Sequence, residues 1–221
     1  MKRTAAGRAI GVTAVWALVV VLGGCAAGAA SGPGAPSTVS APAGSPSATA
    51  AEQVTDRPFG TGCGDIPTAG EGSFAGMSDD PAATAIAHNP AVRAFATALA
   101  AARLGAPLNS QEDVTVLAPA NAAFDAVPRD ALRKLMADTA SLTAVLTHHV
   151  IQGRLTPDRL AGTHTTLNND QVTIDVSPEA FSVAAGGTML GAAPARVVCG
   201  NLQTANATIY IVDQVLTPPA G

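Results

Sequence analysis

The apolar and polar positions divide the chain into zones. The first is a run, 9–22, that is apolar except for Thr13 and follows Lys2, Arg3 and Arg8. The second, 26–51, has no charged residue and little that can pack: Ala, Gly, Ser, Pro and Thr with a single Val. In the third, apolar residues recur at helical spacing. Asp79-Asp80-Pro81 reads as a helix start, with Asp at the cap and Pro in the first turn, and the run it opens ends near His88. Asn89-Pro90 repeats the signal. The helix that follows carries Val92, Phe95, Ala96 and Leu99 at helical spacing to about Leu104, with Gly105 just past its end. A β run, 114–118, is stopped by Pro119, and Asn121 stands at the capping position of a short helix that includes Phe124. Stretches 128–137 and 141–148 are helical, with Leu132, Leu135, Met136, Leu142, Val145 and Leu146 facing inward. After Val150 the period falls to two. Val172, Ile174 and Val176 alternate, as do Phe181 and Val183. Turn signals lie at 168–170 and 185–187, and 196–199 and 208–215 are apolar strands. Helices first and strands later predict an α+β domain, its N-terminal helices packed on a mainly antiparallel β-sheet or sandwich.

The first two zones predict export. The apolar run is about 14 residues, short of the about 20 that span a bilayer, and a basic n-region precedes it, so it reads as a signal peptide. It ends on Leu22-Gly23-Gly24-Cys25, which resembles the bacterial lipobox. That resemblance implies diacylglycerol on the Cys25 thiol and cleavage between Gly24 and Cys25. A plain secretory signal and a short uncleaved anchor are the alternatives. The expected organisation is a lipoprotein signal peptide at 1–24, a lipidated Cys25 with a disordered spacer at 25–60, and one domain at 61–221. A flexible spacer of that composition spans about 28 Å on average, so it would hold the domain away from the membrane.

Charge and cysteine content narrow the partners. Removing the leader takes away Lys2, Arg3 and Arg8 and no acidic residue, and moves the formal net charge from −4 to −7. An acidic mature chain argues against nucleic acid and anionic lipid. Of the cysteines, Cys25 is assigned to lipid, leaving Cys63 and Cys199 at the two ends of the domain. Outside the cytoplasm a disulfide is the expectation. Two free thiols, or a metal pair short of ligands, are the alternatives, and neither a CxxC nor a His close in sequence favours metal.

Three segments then carry a family resemblance. "VTVLAPANAAF" at 114–124 resembles the first fasciclin homology motif, and includes Pro119, Asn121 and Phe124. "LTAVLTHHVIQGRL" at 142–155 resembles the His-containing segment that follows, with His149 at the family's retained His and Gly153 at its Gly. "ATIYIVDQVLTPP" at 207–219 resembles the second homology motif, with Asp213 and Pro218. The motifs stand in the family's order over about 77–219. The C-terminal part is similar to the fasciclin-domain lipoproteins and secreted antigens of mycobacteria, which also pair an early and a late Cys. Leu117 and Ala120 depart from the first motif, and His148 stands where many members have Tyr. In animal matrix members that Tyr-His segment is implicated in integrin-type adhesion, and the change at His148 does not carry that activity over.

No hydrolase or phosphate-loop signature interrupts this reading. Gly-x-Ser-x-Gly, HExxH and the phosphate-binding Gly-x-x-x-x-Gly-Lys are absent. Adjacent helical residues diverge by about 100°, so His148 and His149 do not chelate one metal. His149 is expected to be a buried, hydrogen-bonded imidazole joining the helix end to a strand. Asn121 is expected to cap its own helix, and Asp213 to hydrogen-bond backbone in the core. Asn206-Ala207-Thr208 matches a glycosylation sequon that carries no weight behind a bacterial-type leader. The resemblance implies a monomeric surface module for adhesion or protein–protein interaction, with an extracellular-matrix or receptor-type partner. It would be anchored on the outer face of the membrane through Cys25, also shed or secreted, and need no cofactor or metal. A carrier of a small apolar ligand is the alternative, and an enzyme the least favoured reading.

Overall fold

A computed structural model describes residues 57–177 and 180–219. The leader, the Gly24–Cys25 cleavage site, the Cys25 acylation site and the spacer as far as Asp56 lie outside the described residues.

The helices come first, as the pattern predicts, but their ends differ. They are α1 Phe74–Ser78, α2 Ala82–His88, α3 Arg93–Ala101 and α4 Gly105–Asn109. Gly105 begins α4 instead of following α3, because the reversal is made earlier, by Arg103 at φ 57°. The strand β1 Val114–Pro119 leads into α5 Asn121–Ala126, α6 Arg129–Ala137 and α7 Thr139–His148. Next come β2 Val150–Gln152, the short helix α8 Pro157–Leu160, β3 Gly162–Thr165, β4 Gln171–Val176, β5 Phe181–Val183, β6 Ala195–Gln203 and β7 Ala207–Val212.

Of the sheet and the sandwich that the sequence leaves open, the chain forms one seven-stranded sheet, ordered β2-β1-β7-β6-β5-β4-β3. The β1–β7 pair is parallel and the rest are antiparallel. A bridge between Ile151 and Thr166 joins the two ends, so the sheet curls nearly into a barrel. In this way one sheet covers both of its edges.

Two cores lie on its two faces. Val116, Ala118, Ile209 and Ile211 face the helices with Phe95, Ile86, Leu99 and Leu146. Leu117, Tyr210 and Val212 face inward with Val172, Ile174, Leu160 and Leu216. β1 and β7 are therefore buried at every position, which explains why they read as continuous apolar runs. β4 has its helix-free side in solvent and alternates. A disulfide joins Cys63, in the 3-10 turn Thr61–Asp65, to Cys199 on β6 across a sequence separation of 136. In the chain-entropy description such a loop contributes about 5 kcal/mol at most. The backbone there leaves no room: a Cβ on Gly60, already at φ +114°, would lie 2.2 Å from the Val198 carbonyl oxygen.

Candidate functional site

The segment at the end of α7 carries His148, His149 and Gly153, and its two histidines point apart. His149 follows the last turn of the helix and is fully buried. Its Nδ1–H donates to the Val145 carbonyl at 2.7 Å, and its Nε2 accepts from the Leu216 N–H at 3.0 Å. Both ring nitrogens are thus used, the tautomer is fixed, and the helix end is tied to the chain beyond β7. The ring also lies 5.7 Å from that of Phe95. Burial pushes the His149 pKa down to about 4; the Val145 bond opposes the shift and His148 adds to it. A neutral imidazole with both nitrogens committed is not available as a base or a ligand.

His148 turns the other way. It is 2% exposed, and its Nδ1 lies 2.7 Å from Oδ1 of Asp170. Asp170 also accepts from the Thr166 hydroxyl and, at 2.7 Å, from Asn168 Nδ2. Burial would raise the Asp170 carboxyl, but the bonds from Thr166, Asn168 and His148 outweigh it and hold the carboxyl below its ordinary value. A carboxylate only accepts, so Nδ1 of His148 carries the proton. The ring borders a cleft of about 200 Å³. A second cleft, of about 260 Å³ and mostly apolar, runs between α3, α4 and the other side of α7, with Leu99, Leu104, Leu108, Leu146 and Leu167 on its walls.

The other motif residues serve the frame. Pro119 ends β1 opposite Val212, and Phe124 is buried on the helical side. Gly153 stands at φ +91°, and its carbonyl accepts from the Thr115 hydroxyl, which in turn accepts from the Leu155 N–H. Next to it, the Arg154 guanidinium donates to the carbonyls of Thr204 and Ala205 and clamps the β6–β7 turn. Pro218 is half-buried near the end of the described chain. Asp213 is half-buried and not in the core; its Oδ1 accepts from the Arg196 N–H at 2.7 Å. The strand has left the two-sided part of the sheet by then, so the carboxylate keeps access to water.

The capping assignments need correction. Asn121 does not cap its own helix: Ala120 occupies that place without a side-chain bond. Instead Asn121 Oδ1 accepts from the Ala94 N–H at 2.9 Å and Nδ2 donates to the Pro90 carbonyl at 2.7 Å, so it caps α3 from across the core. Nor does Asp80 cap α2. Its free backbone N–H groups at Ala82 and Ala83 are taken by Asn206 Oδ1 at 2.7 Å and Asn109 Oδ1 at 2.8 Å. Asn206 Nδ2 donates in turn to the carbonyls of Leu108 and Gln111. The sequon asparagine is therefore a structural hub. No local signal marks it, because its partners lie 95–124 residues away.

Comparison with known proteins places this geometry. The fasciclin domain model matches residues 90–218. The cell surface glycolipoprotein MPT83 of Mycobacterium tuberculosis is 39% identical over 171 residues, covering 73% of each chain. The immunogenic protein MPB70 of Mycobacterium bovis is 38% identical over 169 residues, 73% of this chain and 82% of that one. Among solved structures, a FAS1 domain pair from the insect cell adhesion molecule fasciclin I matches with a TM-score of 0.49 and 25% identity. That match covers 59% of this chain and 46% of the pair.

Proposed function

The chain belongs to the fasciclin domain family, and from that premise we propose that it is a surface-displayed module for adhesion or protein–protein interaction, held to the outer face of the membrane by lipid on Cys25. The observation that carries the proposal is its 39% identity, over 73% of its length, to a protein named as a cell surface glycolipoprotein. The Leu22-Gly23-Gly24-Cys25 sequence supports the anchor, and the uncharged stretch 26–51 supplies the spacer. Two or more acyl chains hold a protein firmly where one does not. The reading is non-enzymatic: His149, the retained histidine, is committed at both nitrogens to holding the fold. The partner is a protein of matrix, receptor or envelope type, not nucleic acid, and the domain acts as a monomer.

The test combines location with capture. Cys25→Ala should release the full chain from membranes or leave it as uncleaved precursor. Mature protein that still partitions into detergent would overturn the lipid anchor. Wild-type chain should retain specific proteins from host extracellular or envelope extracts, and capture should survive removal of the acyl chains. Capture that disappears with the acyl chains would assign the effect to lipid alone. A second reading, a carrier of a small apolar ligand, draws on the leucine-lined cleft of about 260 Å³. Native mass spectrometry showing a co-purifying lipid of fixed mass would favour it.

A further inference from the structure

A polar atom of a buried side chain is left without a protein partner by the fold. His148 is 2% exposed, its Nδ1 is bonded to Asp170, and its Nε2 makes no hydrogen bond. Among the described residues no fully buried side-chain nitrogen or oxygen lacks a partner. The Nε2 must therefore reach the surface, and the surface His148 borders is the cleft formed with Val172, Val183, Gly186, Gly187 and Pro219. The Asp170 carboxylate fixes a proton on Nδ1, so it is the Nδ1–H tautomer of the ring that presents a lone pair at Nε2. Asp170 is itself held by Thr166 and Asn168, so the ring is oriented before any ligand arrives.

The cleft's size and surface choose the ligand. At about 200 Å³ it is smaller than the roughly 300–1,000 Å³ of sites that take a whole small molecule. It has room for one side chain. Its surface is mostly apolar; Gln171, Thr173 and Thr217 bring polar groups to its solvent-facing side, and His148 is the buried polar side chain on its wall. A sugar carries hydroxyls all round and needs several partners. An aliphatic side chain would leave Nε2 dry and unpaired, at a cost of about 1–3 kcal/mol. A phenol has an apolar ring and a single donor.

We propose that this cleft is a socket for a tyrosine side chain of a protein partner, whose hydroxyl donates to His148 Nε2 while its ring lies against Val172, Val183 and the Gly186–Gly187 backbone. The proposal rests on the interaction-module reading and names the chemistry by which such a partner is held.

The test uses the full chain with 15N-labelled histidine and three probes: p-cresol, toluene and methyl β-glucoside. p-Cresol should shift the His148 Nε2 resonance saturably, with toluene at least about tenfold weaker and the glucoside without effect. His149 serves as the internal control, because both its nitrogens are bonded within the fold. Gly186→Leu adds an isobutyl group at the cleft wall, and a Cβ there meets nothing within 4 Å, so the backbone need not shift. It should abolish the p-cresol response while leaving the unfolding midpoint unchanged. Absence of a saturable p-cresol shift, an equal response to toluene, or a stronger response to the glucoside would each overturn the proposal. Partner capture is then measured with wild type and Gly186→Leu. If p-cresol fails while capture persists in both, the socket is wrong and the interaction reading stands. If p-cresol binds selectively and no protein is captured, the phenol site stands and the interaction reading falls.

Discussion

His148 and His149 are neighbours in the chain and almost equally buried, yet they belong to two different regions. Around His149 the helix end, the chain beyond β7 and the Phe95 ring close on an imidazole with no free atom. Around His148 the same care is taken with one nitrogen only, through Asp170 and its two donors, and the other faces a cleft. The difference teaches that burial alone does not assign a role. What separates a strut from a recognition element is whether the side chain's hydrogen-bonding capacity is exhausted inside the fold.

Removing the sealed histidine should break the comparison most severely. His149→Ala leaves the Leu216 N–H and the Val145 carbonyl without their partner and opens a cavity beside Phe95. Expected destabilisation is about 3–5 kcal/mol, measured by denaturant unfolding. A loss below about 1 kcal/mol would show that the junction is not sealed as described. Acid should act on the same residue. The folded pKa is about 4 and the unfolded value 6.5, so the unfolded chain binds the extra proton first. The stabilisation is fully present above pH 6.5 and is lost as pH falls through about 4. The span corresponds to about 3 kcal/mol. His149→Ala should flatten unfolding free energy against pH across that window; an unchanged slope would assign it elsewhere.

Asn206 tests whether sealing extends to the helix starts. Asn206→Asp keeps an acceptor for Ala82 but sets a carboxylate against the Leu108 and Gln111 carbonyls. It should cost about 2 kcal/mol, and intact-mass analysis should find no glycan on the native residue. The smallest effect is expected in the open region. His148→Phe keeps a ring of similar bulk and removes one of Asp170's three side-chain partners. It should cost about 1 kcal/mol, with the near-ultraviolet dichroism of the core retained. A loss as large as that of His149→Ala would erase the contrast.

Much of the fold was legible because its signals are local or periodic. β1 ends at Pro119, where the sequence places its end, and β4 alternates through Val172 and Ile174, while Val176, expected to continue the buried face, is 64% exposed at the strand's end. The three motifs carry the family resemblance in the sequence alone. Local signals failed where the chain satisfies its helix ends from a distance. Asn121 and the Asp79-Asp80-Pro81 start both look like caps in sequence, yet α3 is capped by Asn121 and α2 by Asn206 and Asn109. Arg154 carried no local sign, and Asp170 showed only as part of the 168–170 turn, because the β6–β7 turn and the His148 ring that they serve are brought near by folding.

The sequence by itself determined the α+β class, the succession of helices, with β1 among them, before Val150 and of strands after it except for the helix α8, the continuous apolar character of the two central strands, and the two cysteines that pair. These follow from periodicity, turn chemistry and composition, each confined to a few residues. Tertiary structure alone decided that the sheet curls on itself through the Ile151–Thr166 bridge, that remote asparagines cap the helices, and that adjacent histidines meet opposite fates. Hydrogen-bond satisfaction is settled among groups far apart in the chain, so no window of sequence can show which acceptor has been used and which is left open.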